Sequence, residues 1–236
     1  MLSSFHAWFS LGNLAGALAG SLLLGLGMGL WTNLMGILAL SLLTVGVCAL
    51  RLLPRQRDNQ GQTAAPTAPG TPAPWNQRFR LSPVVASMGL LCFLAMLGEG
   101  ATGDWSGLYF RDMLAATGGL VGLGYIAFTL AMTLGRAFGD RWRSRYGAAL
   151  VIAGALLSGL GMLLAVVSTS PLMAGVGYAL TGLGAANIVP VLYGAAGQAM
   201  NVQGIAQVAT LGYLGFLAGP PLIGYVSHML GPMPVS

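Results

Sequence analysis

The chain has 236 residues, 56% of them hydrophobic and only 6% charged, with 37 glycines and a mean hydropathy of +0.77. That balance excludes a water-soluble core of ordinary composition. The net charge of +5 comes from ten arginines and no lysine, which disfavours lysine Schiff-base chemistry, and the arginines sit beside apolar runs, so they are not read as a nucleic-acid surface.

The predicted elements are helices of membrane-spanning length, since about 20 apolar residues cross the hydrocarbon core. Two spans are expected at 5–28 and 31–53. Gly12, Gly16 and Gly20 recur at four-residue spacing in the first, which puts them on one helix face expected to be covered by protein. Residues 54–80 are rich in Pro, Ala, Thr, Gln and Gly and read as a flexible linker. A third span begins near 81 and reaches at least 97. If it continues, Glu99 lies in its outer part, where a carboxylate is costly unless protonated, paired or facing water. If 98–107 is an external loop, Glu99 and Asp104 are merely solvated. The two acids are five residues apart, about 140° around a helix, and are not expected to share a face.

A fourth span is expected at 117–135, a basic loop at 136–147, a fifth span at 148–167, a sixth at 172–193 and a seventh at 204–228. Asn187, near Pro190, either lines a path through the bundle or bonds to a neighbouring helix. Gly219, Pro220 and Pro221 remove two amide donors in mid-span, which predicts a kink and a hinge candidate.

Nine arginines fall in two tracts: Arg51, Arg55, Arg57, Arg78 and Arg80, then Arg136, Arg141, Arg143 and Arg145. Basic residues near span ends favour the cytoplasmic side. Two spans separate the tracts, so both face the cytoplasm, with the N-terminus inside and the C-terminus outside. Arg111 is left outside, its charge offset by Asp112. Cys48 and Cys92 lie in apolar runs and read as buried thiols. His6 and His228 lack ligand spacing, so no metal or other cofactor is expected. No catalytic constellation or nucleotide-binding loop is present, and enzyme activity is not expected.

The segment Gly135-Arg136-Ala137-Phe138-Gly139-Asp140-Arg141-Trp142-Arg143-Ser144-Arg145-Tyr146-Gly147 resembles the G-R-x-x-G-D-R-x-x-x-R-x-G signature loop of the major facilitator superfamily (MFS), although Asp140 stands five residues after Gly135 rather than four. Glu99-Gly100-Ala101 with Asp104-Trp105-Ser106, and the run from Gly212 to Gly224, are similar to a bacterial sugar-permease-like branch of that family.

The resemblance implies an all-α polytopic bundle of about seven transmembrane helices in the bacterial inner membrane. Residues 1–53 would be helices five and six of the first half, 54–80 the central linker, and 81–236 helices seven to eleven; helices one to four and twelve would be absent. It further implies transport of a small solute by alternating access, as symport or antiport. Glu99, Asp104 and Asn187 are candidates for the proton or substrate pathway, and Arg136, Gly139, Asp140 and Arg141 for a conformational latch. The expected partners are a small-molecule substrate, the lipid bilayer, and the missing helices or another copy of the chain. A non-transporting membrane protein and a seven-helix receptor are the alternatives.

Overall fold

A computed structural model describes residues 2–50 and 82–229, with the side chains of residues 2–10, Leu24, Leu30, Asp140 and Ser144 outside the description. The linker expected at 54–80 lies outside the described residues, as do the first arginine tract and His6's side chain. The described residues contain helices and no strand: α1 (Leu2–Gly25), α2 (Leu30–Leu50), α3 (Pro83–Asp112), α4 (Leu123–Ala137), α5 (Gly139–Tyr146), α6 (Ala149–Val167), α7 (Pro171–Ala185) and α8 (Ile188–Met229). A 3-10 turn, Gly118–Gly122, leads into α4. The chain divides into two compact units, one of residues 26–80 and one holding the rest. In the first, α2 is predominantly apolar and its described side chains are exposed apart from the partly buried Asn33.

The second unit is a helix bundle. Its α3 starts where Ser82 accepts a hydrogen bond from the Val85 amide and Pro83 takes the first turn, where a missing N–H costs nothing. It runs unbroken for 30 residues. The stretch 98–107 is therefore helical, and the external loop considered for it is ruled out. Glycine-rich backbone stays helical in lipid because no water is available to satisfy exposed amides. Glu99 consequently falls in the middle of α3, not in its outer part.

Residues 136–147, expected as a loop, are mostly helix: Arg136 and Ala137 belong to the last turn of α4, and 139–146 form α5. Gly147 (φ +51°) ends α5 with a left-handed backbone that favours glycine. The sixth span is α7 continued by the first part of α8 across a two-residue interruption at Ala186–Asn187. Inside α8 the non-helical backbone is at Met200 and Asn201, the latter left-handed at φ +53°. Pro220 and Pro221 keep helical dihedrals inside α8, and the non-helical backbone lies some twenty residues earlier, between the sixth and seventh rods.

Packing follows small residues. The most extensive contact joins α3 to α8, where an added Cβ at Gly219 would come within 2.7 Å of the Leu97 carbonyl and one at Gly215 would collide with that of Phe93. Helices α6 and α7 cross through Gly161 and Gly177, and Ser158 and Thr181 exchange hydrogen bonds to each other's carbonyls (3.2 and 3.3 Å). Opposite that crossing, Ile152, Leu156, Leu160 and Leu163 are mostly exposed. Four-residue spacing makes them one apolar stripe, and a fully apolar outer surface has lipid as its solvent.

Candidate functional site

The site is built from a proline. In a continuous helix the Ala186 carbonyl would accept from the amide of residue 190, but that residue is Pro190 and has no N–H. The helix interrupts at Ala186–Asn187, and the freed carbonyl must find another donor. Arg136 supplies it: its Nε donates to the Ala186 oxygen at 3.2 Å. The same guanidinium places Nη2 3.5 Å from Glu99 Oε2 on α3, with the two side chains only 3% and 14% exposed. Asn187 reciprocates, its Nδ2 donating to the Gly135 carbonyl at 3.0 Å. One arginine and one asparagine thus clasp α3, α4 and the α7–α8 interruption together.

The glycines of the signature segment make this approach possible. A Cβ on Gly135 would come within 2.7 Å of the Ala186 Cβ, and one on Gly139 would run into Asn187 Oδ1. Gly135 near the end of α4 and Gly139 at the start of α5 both meet the Ala186–Asn187 interruption, and Arg136 threads inward beside them. The ion pair is longer than the roughly 2.7–2.9 Å of a tight charge-assisted bond. It couples two charges taken out of water, so either partner alone would be strongly destabilising.

Two cavities meet at Glu99. One of about 190 Å³ is lined by Asn13, Glu99, Asp104, Tyr125, Thr129 and Phe216 among others. The second, about 380 Å³, lies among Glu99, Thr102, Ser158, Met162, Thr181 and neighbouring apolar residues. Glu99 and Asp104 therefore border one cavity, against the expectation that they would not share a face. Gly100 and Gly103 lie between them and carry no side chain, so the groove is wide enough to reach both acids.

Asn187, expected as a pathway residue, lines neither cavity; it is 7% exposed and fixes helices instead. Asp140's side chain lies outside the described residues, and Arg141 is on the exposed side of α5. Arg111 and Asp112 form the expected pair, with Nε–Oδ1 at 2.6 Å and Nη2–Oδ2 at 3.0 Å, both more than half exposed. Gly219 and Pro220 meet α3 directly: Trp105 Nε1 donates to the Pro220 carbonyl at 3.2 Å. Cys92 is buried, but Cys48 is exposed, contrary to the expectation of two buried thiols. No group of three His, Cys, Asp or Glu side chains that could hold a metal occurs among the described residues.

Residues 1–220 match the sequence description of the Major Facilitator Superfamily. The chain belongs to the Major Facilitator Superfamily. It is similar to an uncharacterized MFS-type transporter of Yersinia pestis, 33% identical over 233 residues, which are 97% of this chain and 57% of that protein. It is also similar to the membrane protein MosC of Rhizobium meliloti, 40% identical over 148 residues, covering 61% of this chain and 36% of that one. An uncharacterized transporter of Sinorhizobium fredii is 28% identical over 235 residues, 97% of this chain and 59% of its own length. No solved structure matches. The chain thus spans less than two thirds of the relatives it resembles, and it is a multi-pass, all-α membrane protein of this superfamily.

The inward turn of Arg136 was not read from its sequence position. Long basic side chains near span ends usually reach outward to the interface. The signals available were Pro190, which marks a carbonyl without its helical donor four residues earlier, and a mid-span glutamate in want of a cation.

Proposed function

We propose that the chain works in secondary transport of a small solute across the bacterial inner membrane, by alternating access of two helix bundles around a midplane site. In this reading residues 1–53 belong to the first half, 54–80 link the halves, and 81–236 belong to the second half. The linker and α5 face the cytoplasm and the C-terminal end of α8 faces outside. The transporter names of the relatives support this reading, as does the family.

The observation that carries it is the Glu99–Arg136–Ala186 clasp. It joins three helices at a buried charge pair that also borders two cavities. Protonation of Glu99 removes the charge that holds Arg136 inward, which loosens α4 from α3 and couples a proton to the opening of the bundle. Arg136, Gly139, Asp140 and Arg141 act as the latch, with Asn187 as its second fastening. Asp104 stands on the solute side, and Gly219, Pro220 and Pro221 form the hinge beside Trp105.

The test is solute-driven proton movement in liposomes containing the 236-residue chain, using sugars, amino acids, organic cations and organic anions. Coupled movement with at least one class, lost in Glu99→Gln, supports the reading. Stable insertion without any flux overturns it and favours a non-transporting membrane protein. Thiol labelling of Arg143→Cys from the outer face of intact cells overturns the orientation.

A further inference from the structure

The smaller cavity has a chemistry of its own. Its volume of about 190 Å³ admits a ligand of roughly six to nine non-hydrogen atoms, at about 30 Å³ per water-sized unit or somewhat less per carbon. Glu99 and Asp104 both line it, whereas Arg136, buried behind Glu99 against Ala186, does not. The Glu99–Arg136 pair is neutral as a unit, and Asp104 makes no ion pair with another described residue. The cavity therefore presents one uncompensated negative charge.

Its other polar groups are the Thr129 hydroxyl, the Asn13 amide and the Tyr125 hydroxyl, the last two able to donate as well as accept. The Thr129 hydroxyl donates its proton to the Tyr125 carbonyl at 2.8 Å and is left with lone pairs to offer. The Tyr125 ring comes next to Gly103, between the two acids, with Cε2 3.6 Å from where a Cβ of Gly103 would stand. Carboxylates, an acceptor hydroxyl and an aromatic ring together suit a ligand rich in donors and positively charged, because cations are attracted to ring faces. An anion meets like charge there, and a neutral solute offers no counter-charge to Asp104, which is exposed.

We propose that this cavity binds a small organic monocation, a protonated amine or quaternary ammonium, with Asp104 as counter-ion and Tyr125 as the ring that covers it. The assignment rests on the transport reading only for its consequence, that such a cation is the transported solute; binding itself needs no flux.

The test is equilibrium binding to the 236-residue chain in lipid nanodiscs, comparing isosteric pairs that differ in charge. Choline is set against 3,3-dimethylbutan-1-ol, and trans-4-aminocyclohexanol against cyclohexane-1,4-diol. Each cation should bind about tenfold or more tightly than its neutral partner, equivalent to about 1.4 kcal/mol. Asp104→Asn should bring each pair within about twofold, and Asp104→Glu should keep the preference. Equal binding within both pairs overturns the proposal, as does no binding of either cation, or a preference that survives Asp104→Asn. Cation binding without flux sinks the transport reading and leaves the site standing. Flux of a neutral solute with no cation preference does the reverse.

Discussion

Two glycine stripes with the same spacing meet opposite surroundings. In α8 and its neighbours, a Cβ added at Gly215, Gly219, Gly161 or Gly177 would strike backbone of a packed helix. In α1, a Cβ at Gly12, Gly16 or Gly20 would meet no atom within 4 Å, so the face expected to be covered lies open in this unit. Four-residue glycine spacing makes a flat face; it does not say what lies on it. What separates the regions is polar pairing at the same crossings. Trp105 bonds to Pro220, Ser158 to Thr181 and Asn187 to Gly135 where helices approach, and these fasten the close contacts.

The contrast can be broken by substitution, read as thermal or denaturant unfolding in detergent. The largest effect is expected for Arg136→Met, which strands Glu99 in a buried site and should cost about 3–5 kcal/mol. Adding Glu99→Gln should recover much of that loss, and a double variant no better than the single would refute the pair. Next is Gly161→Leu, whose side chain has no room against the backbone at Gly177 and Thr181 and should cost about 3 kcal/mol. Asn187→Ala leaves the Gly135 carbonyl without its donor at a buried crossing and should cost about 1–3 kcal/mol. Trp105→Phe keeps most of the ring and loses the bond to Pro220, an expected cost of about 1 kcal/mol. Gly16→Leu, the counterpart on the open stripe, should change stability by less than about 0.5 kcal/mol. A loss at Gly16 as large as that at Gly161 would abolish the distinction between the open stripe and the packed crossings.

The spans were legible because lipid imposes one rule, that apolar residues must persist for the thickness of the membrane. The fourth and fifth were expected at 117–135 and 148–167; the structure has Gly118–Ala137 and Ala149–Val167. Composition left 98–107 open, because Gly-Glu-Gly-Ala-Thr-Gly-Asp suits a loop in water as well as a continued span, and it is the middle of α3. It misled at 136–147, because arginines written as a loop formed a helix of their own. The candidate site was half legible. Glu99 and Arg136 were both singled out, one as a pathway acid and the other as part of a latch. Their pairing was not, since it depends on which way a flexible side chain turns at a helix end. The shared cavity of Glu99 and Asp104 was hidden for a different reason. Angular arithmetic on an α-helix assumes side chains at every position, and Gly100 and Gly103 have none.

The joint at Met200–Asn201 has a mechanical consequence. Only two residues separate the rod ending near 199 from the one starting near 202, and Gly204 tucks its backbone against the Ala196 carbonyl across that corner. Such an elbow has no slack to take up. Any axial slide of the first rod drags the second by a comparable distance, so displacement begun at Ala186 reaches Trp105 and Pro220 through the backbone itself.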